Sequence, residues 1–341
     1  MGAIRSALAG YGGIILGLHV LGGLALLPAA RAHSALLGMG FLAYTLGLRH
    51  AFDADHIAAI DNTIRKLVRL DRAPAGVGFF FSAGHSTVVL VMVLATALLT
   101  RWSHHALPSL QTAGGIIGTS VSAAFMLLIG LVNLFVWTDL YAIFQQMRSG
   151  TYDAAALEQL LLARGMMGRM AGPLFRFITR SWHVYPVGVL FGLGFDTATE
   201  VALLALSAGA AASAHPVWSI MALPVLFAAG MSLMDTADGV FVTTAYRWAF
   251  ATPIRKIYYN LTVTGLSVGA ALVIGLIEVV QVLTHALGVE RGVWGWVQTL
   301  DLGWIGYLLV ALFVLAWSCS YGAWKLLRIE ERWTPTTRPE G

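Results

Sequence analysis

One cysteine, Cys319, stands among 341 residues, which excludes a disulfide framework and any cluster of thiolate metal ligands. Charge is scarce as well. Asp, Glu, Lys and Arg make up 11% of the chain and hydrophobic residues 58%, where a soluble domain carries about a quarter charged residues. No Gly-x-x-x-x-Gly-Lys-Ser/Thr run occurs, so the chain has no phosphate-binding loop and no ATPase of its own. No His-Glu-x-x-His pair occurs either, which removes one zinc-hydrolase signature.

What remains is apolar sequence in runs long enough, at about 20 residues each, to cross a bilayer. We place eight of them, at 12–30, 36–60, 76–99, 114–137, 184–211, 217–246, 261–287 and 302–326. The expected fold is an all-α integral membrane protein. It is a single polytopic domain over 1–330, interrupted by a polar loop at about 144–183 and followed by a tail at 331–341. A short surface helix is expected within the loop at 152–159, and the tail has a disordered composition. The second and sixth runs are interrupted by acids, and hydropathy alone would divide each in two.

Of the 21 Lys and Arg residues, all but Arg31, Arg49, Arg101 and Arg291 fall on one set of loops, Arg65, Lys66, Arg69 and Arg72 among them. By the positive-inside rule both termini and the 144–183 loop are cytoplasmic. The net charge of +4 is thus a topology signal and not a nucleic-acid footprint. Arg5 before the first run and Ala30-Arg31-Ala32 after it resemble a secretory leader. The run is longer than the about 7–15 residues of a signal core, so we expect it to stay as a span.

Against this background Arg49-His50-Ala51-Phe52-Asp53-Ala54-Asp55-His56-Ile57 is out of place, with five ionisable side chains within eight residues of a membrane segment. A charge at the bilayer centre costs roughly 2.5–3.5 kcal/mol on insertion scales, and such residues face a bundle interior or a water-filled path. Two imidazoles and two carboxylates also form a donor set suited to a borderline divalent metal ion. On a regular helix His50, Asp53 and His56 fall within an arc of about 120°. Asp55 falls outside it, and either meets a partner such as Arg49 or requires local unwinding, which backbone lining a cavity tolerates. The bland alternative is an internal salt-bridge cluster that glues helices together.

The third run adds Phe80-Phe81-Ser82-Ala83-Gly84-His85-Ser86-Thr87. Gly84 permits close helix approach, while Ser86 and Thr87 offer donors and acceptors. His85 either completes a metal shell, orients a carboxylate of the second run, or packs between helices. Asp196 and Glu200 in the fifth run are spaced i, i+4, and Asp235 and Asp238 in the sixth i, i+3, so each pair shares a helix face. These acids suit a cation or proton pathway better than direct ligation. The runs also repeat. Gly47-Leu48 with Phe52-Asp53 parallels Gly192-Leu193 with Phe195-Asp196, and Phe81-Ser82-Ala83-Gly84 parallels Phe227-Ala228-Ala229-Gly230. Three spans separate the partners, so each pair crosses in opposite senses, the pattern of an inverted repeat with its substrate site near the midplane.

These four motifs, in this order and spread over most of the chain, resemble the nickel/cobalt transporter family of bacterial permeases. The signatures are the Arg49–Ile57 and Phe80–Val89 segments, Leu193-Gly194-Phe195-Asp196-Thr197-Ala198-Thr199-Glu200, and Gly230-Met231-Ser232-Leu233-Met234-Asp235-Thr236-Ala237-Asp238-Gly239. Ala83, where a slightly larger residue is expected, is the one small departure. The resemblance implies an eight-span secondary carrier, not an enzyme, in the bacterial inner membrane, with metal handled by His50, Asp53, Asp55 and His56. It also implies a contribution of the first span, where His19 either joins the metal shell or bonds to a neighbouring carbonyl. Ni2+, with Co2+ as a second ion, is then the transported substrate, and no cofactor, ATPase subunit or nucleic-acid partner is expected. Efflux of the same ions is the first alternative, disfavoured because the 144–183 loop holds one histidine, at its end. An intramembrane metalloenzyme is the second, disfavoured because there is one dense His/Asp cluster instead of several histidine boxes. His33, His104 and His105 read as solvated mouth residues, and Glu278 as one half of a structural pair.

Overall fold

A computed structural model of the chain describes residues 2–32, 34–70, 72–98, parts of 116–145, 178–193, 198–212, 215–249, 253–289, 291–300 and 302–326. The expected 152–159 surface helix, the 331–341 tail, Asp196, His33, His104 and His105 lie outside the described residues. Among the described residues every regular element is helical. In chain order these are α1 (Gly2–Ala32), α2 (Ala35–His50), α3 (Ala54–Arg69) and α4 (Val77–Leu98), then α5 (Thr119–Phe135), α6 (Tyr185–Gly192), α7 (Ala198–Ala212) and α8 (Val217–Ile220), and last α9 (Ala222–Ala249), α10 (Pro253–Leu287), α11 (Gly292–Gln298) and α12 (Leu302–Leu326). Four stretches are long and apolar enough to cross a membrane: Ala9–Pro28, Val77–Leu98, Val217–Tyr246 and Thr264–Leu287. They coincide with the first, third, sixth and seventh expected runs, and the chain is an all-α, multi-pass membrane protein.

The second run is two helices. α2 ends at His50, where Phe52 N bonds Arg49 O (3.0 Å) and Asp53 N bonds His50 O (2.9 Å), the tightened i→i+3 pattern of a terminating turn. Asp53 then turns extended (φ −64°, ψ 142°), and α3 starts when Ile57 N bonds Asp53 O. The fifth run contributes α6 and α7, whose described residues end at Leu193 and resume at Ala198. The sixth run, by contrast, continues unbroken through Asp235 and Asp238 as α9. Its acids lie on a face turned towards protein, so the helix has no reason to open.

α9 is the central post, packed against α1, α2, α3 and α4, and α4 packs against α6. Glycines set both of the main crossings. A Cβ on Gly47 would strike the Phe227 carbonyl, and one on Gly230 the Tyr44 carbonyl, so α2 and α9 meet backbone to backbone. On the other side a Cβ on Gly84 would strike the Tyr185 carbonyl, and one on Gly188 the Phe81 carbonyl, where α4 meets α6. Small residues give membrane helices this approach, because packing and not water drives their association. The expected repeat pairs Gly230 with Gly84 in these crossings, whereas the glycine opposite the Phe81 carbonyl is Gly188 and not Gly192, the partner named for Gly47. Phe81 and Phe227, the repeat partners named above, supply the carbonyl in each.

α3 departs from expectation most. Its sequence is polar, yet His56, Asp61, Asn62, Thr63 and Arg65 are all buried, walled by α9, α10 and α12. Arg65, taken from the sequence as a solvated topology charge, is 0% exposed. It donates to Asp61 Oδ2 at 2.7 Å and to Ser267 Oγ and Tyr246 Oη, and its guanidinium lies 5.1 Å from the Tyr246 ring centroid. Glu278 of α10, expected to be half of a structural pair, accepts from Ser122 Oγ of α5 at 2.7 Å.

Candidate metal site

The break in the second run brings the site together. His50 is the last residue of α2, His56 sits in the first turn of α3, and His85 lies mid-way along α4. Their ring centroids are 4.5 Å (His50–His56), 4.8 Å (His50–His85) and 5.0 Å (His56–His85) apart. One ligand nitrogen from each lies within 4.8 Å of the others, and all three side chains are buried. Convergence therefore comes from two half-helices and a third helix, not from the single helical face that the sequence spacing suggested.

The surrounding groups fix the rings. His50 Nδ1 lies 2.9 Å from Asp53 Oδ2 and 3.0 Å from Thr199 Oγ1. A proton held on Nδ1 by these partners leaves the Nε2 lone pair to face inward. There Nε2 is 3.1 Å from His85 Nε2, which in turn is 2.6 Å from Glu200 Oε1. His56 has neither ring nitrogen hydrogen-bonded although it is buried, and its Nδ1 stands 3.5 Å from Asp235 Oδ2. Both carboxylate oxygens of Asp235 also lack a hydrogen bond. Buried polar atoms are nearly always satisfied, so the unmade bonds of His56 and Asp235, two groups that face each other, fit a ligand set for a cation. Three imidazoles ringed by Asp53, Glu200 and Asp235 are donors suited to nickel, cobalt or zinc more than to magnesium.

Asp53 occupies the N-cap position of α3 without capping it, its carboxylate being turned to His50 instead. The Asp55 carboxylate accepts from the His56 amide at 2.9 Å, a helix N-terminal role that offsets the positive end of the α3 dipole. Close packing places Asp235, since a Cβ on Gly78 of α4 would strike its carbonyl.

Several expected residues lie elsewhere. His19 is not one of the three clustered histidines. Its Nδ1 donates to Ile15 O at 2.8 Å and its Nε2 is 3.3 Å from Tyr44 Oη, which is the neighbouring-carbonyl alternative. Thr87 is also displaced from the role expected of it, facing outward to Ala83 O (2.8 Å) and Tyr185 Oη (2.9 Å). Ser86 is buried with Oγ not hydrogen-bonded, Arg49 is half-buried, and Asp238 is half-buried with Oδ2 not hydrogen-bonded. Glu200 stands closer to the histidines than a pathway residue would. Thr199 was missed, because a threonine beside a motif acid gives no sign that it will reach an imidazole 149 positions away. Thr199→Val keeps the shape and removes the hydroxyl. Nickel affinity in equilibrium dialysis should fall about 10-fold or more, with the melting temperature little changed.

These features define a class: a helical membrane protein with a buried cluster of three histidines, at a helix break, that could hold a divalent cation. Residues 36–322 match the family model described as high-affinity nickel-transport protein. The chain is 52% identical over 324 residues to the nickel transporter NixA of Staphylococcus aureus, covering 95% of this chain and 96% of the relative. It is 50% identical to the nickel transporter NicT of Mycobacterium tuberculosis (94% and 90% covered) and 42% identical to the cobalt transport protein NhlF of Rhodococcus rhodochrous (92% and 91%). No solved structure matches the chain. The chain belongs to the high-affinity nickel-transport protein family, and it is a transporter, not an enzyme.

Proposed function

We propose that this carrier imports Ni2+, and Co2+ as a second substrate, across the bacterial inner membrane, using His50, His56 and His85 as ligands. The convergence of these three buried imidazoles carries the reading. Asp53 and Thr199 orient His50, Glu200 stands at the inward Nε2 of His85 and offsets the ion's charge there, and Asp235 does so beside His56. Domain 1–330 spans the membrane eight times, in two inverted halves, with both termini and the 144–183 loop cytoplasmic. The basic loops and the paired glycine crossings support that arrangement.

In this scheme the ion enters from the periplasm and gives up water for the imidazoles. It leaves on the cytoplasmic side when the half-helices rock about their glycine crossings. An inside-negative potential contributes about 2.3 kcal/mol per charge per 100 mV, so a divalent ion has a driving force without ATP. Asp238 and Arg49 line the route at half-buried positions.

The test is accumulation of radiolabelled nickel in cells expressing the wild type or His56→Ala, with cobalt, zinc and manganese as competitors. Uptake by the wild type that the substitution abolishes, and that nickel or cobalt blocks best, is the expected result. Accumulation below that of empty cells would mean export. No difference from empty cells would sink the transport reading.

A further inference from the structure

The nickel site does not use the buried charge cluster about one and a half to two and a half turns further along α3. Arg65 lies nine residues beyond His56, about 13–14 Å along the helix axis. That is near the helix end, where an arginine ordinarily snorkels its guanidinium to the interface. Here the side chain turns inward and is fully buried. Asp61 accepts from Arg65 at 2.7 Å, from Tyr246 Oη at 2.8 Å and from Ser267 Oγ, so the cluster ties α3 to α9 and α10. Arg65 also donates to the Tyr246 and Ser267 hydroxyls.

Two facts place this cluster on the ion's way. The helices it joins are those of the site, since α3 carries His56 and α9 carries Asp235, the two groups that face each other at 3.5 Å. On α9, Asp235 and Tyr246 are eleven residues apart, within about 20° of the same face. The seam that begins at His56 and Asp235 thus passes Gly239, which lies against Gly78 of α4 and Ile64 of α3 (3.4 Å from Gly78 N and 3.7 Å from Ile64 Cδ1 to a Cβ built on Gly239), and ends at Tyr246, Asp61 and Arg65. Asp238, with a carboxylate oxygen not hydrogen-bonded, lies on α9 between the two ends.

We propose that Arg65, docked on Asp61, Tyr246 and Ser267, is the inner gate of the transport path, a fixed cation that closes the α3–α9 seam until the travelling ion displaces it. The inference rests on the transport reading above. A divalent cation reaching Asp238 repels the guanidinium and competes for Asp61. Arg65 then moves out to the interface and the helices part. A buried ion pair is poor at adding stability over an apolar pair of the same volume, but it is a two-state element that a passing charge can switch.

That contrast supplies the test. The Asp61→Leu/Arg65→Met double variant and Tyr246→Phe are purified, cobalt binding is measured by equilibrium dialysis in detergent, and nickel flux is followed into proteoliposomes holding an entrapped metal-sensitive dye. A purely structural pair predicts that the double variant keeps its flux, because apolar replacement is tolerated. The gate predicts unchanged cobalt binding by the folded variant and nickel flux reduced about 10-fold or more, because no charge remains for the ion to displace, while the melting temperature falls as the Tyr246 and Ser267 hydroxyls lose their partner Asp61. A folded double variant with flux within about twofold of wild type overturns the gate. If the double variant does not fold, Tyr246→Phe decides: loss of one of the three holds on Arg65 should raise flux about threefold with binding unchanged, and unaltered flux overturns the proposal. Absence of nickel flux in the wild type would instead refute the transport reading.

Discussion

Cobalt or nickel binding to the purified protein will weaken by about 100-fold or more when any one of His50, His56 or His85 is replaced by alanine, since even the outer partners of a metal ligand are worth 10–100-fold. Each ring supplies a nitrogen to a group no wider than 4.8 Å, so none of the three is dispensable on geometry. Equilibrium dialysis gives the affinity, and the visible absorption of bound Co2+ reports the coordination that remains. The losses should differ in kind. His50→Ala leaves Asp53 and Thr199 without their shared partner, and His85→Ala does the same to Glu200. His56→Ala removes a ring that makes no hydrogen bond, so it should cost metal affinity with the least cost to folding. A change under about threefold for one histidine would take it out of the ligand set.

Arg65→Ala will destabilise the protein by about 3–5 kcal/mol, the range found when one partner of a buried ion pair is removed. The substitution leaves Asp61 buried with only the Tyr246 and Ser267 hydroxyls to face it, and opens space beneath the Tyr246 ring. Asp61→Asn should cost less, because the amide still offers an oxygen to the guanidinium. Thermal unfolding in detergent, followed by intrinsic tryptophan fluorescence, measures both. If Arg65→Ala melted within about a degree of wild type, burial of this charge would be refuted.

The histidines of the site were legible in the sequence because charge inside a membrane run is conspicuous. His50, Asp53 and His56 stood out against apolar neighbours, and His85 stood out in α4. The break at 51–53 was legible too, though only as one way of accommodating Asp55. What the sequence could not give were pairings between distant segments. Thr199 reaches His50 across 149 residues and Tyr246 reaches Asp61 across 185, and no local period encodes either. Arg65 was misread for a physical reason. A basic residue near the end of a span looks the same whether it meets headgroups or a buried carboxylate. The sixth run was read as one span despite its two acids, and α9 is whole through both, with Asp235 packed against Gly78 and facing His56. His19 was open between two readings, and its bond to Ile15 O favours the local one.

The polarity of α3 bears on how the protein is made. Residues 54–69 carry too many polar groups to rest in lipid alone, where each unsatisfied group costs several kcal/mol. Beyond Arg65 on the same helix, the groups that satisfy Asp61, Tyr246 and Ser267, lie 185 and 206 residues further along the chain. At a synthesis rate of about 5–20 residues per second, they emerge roughly 10–40 s after α3 itself. For that interval α3 must be kept in water or sheltered by the insertion machinery. α3 is thus among the first helices to be synthesised and among the last to be completed. Its entry into the membrane is an event of assembly, set by the arrival of α9 and α10, and not of hydropathy.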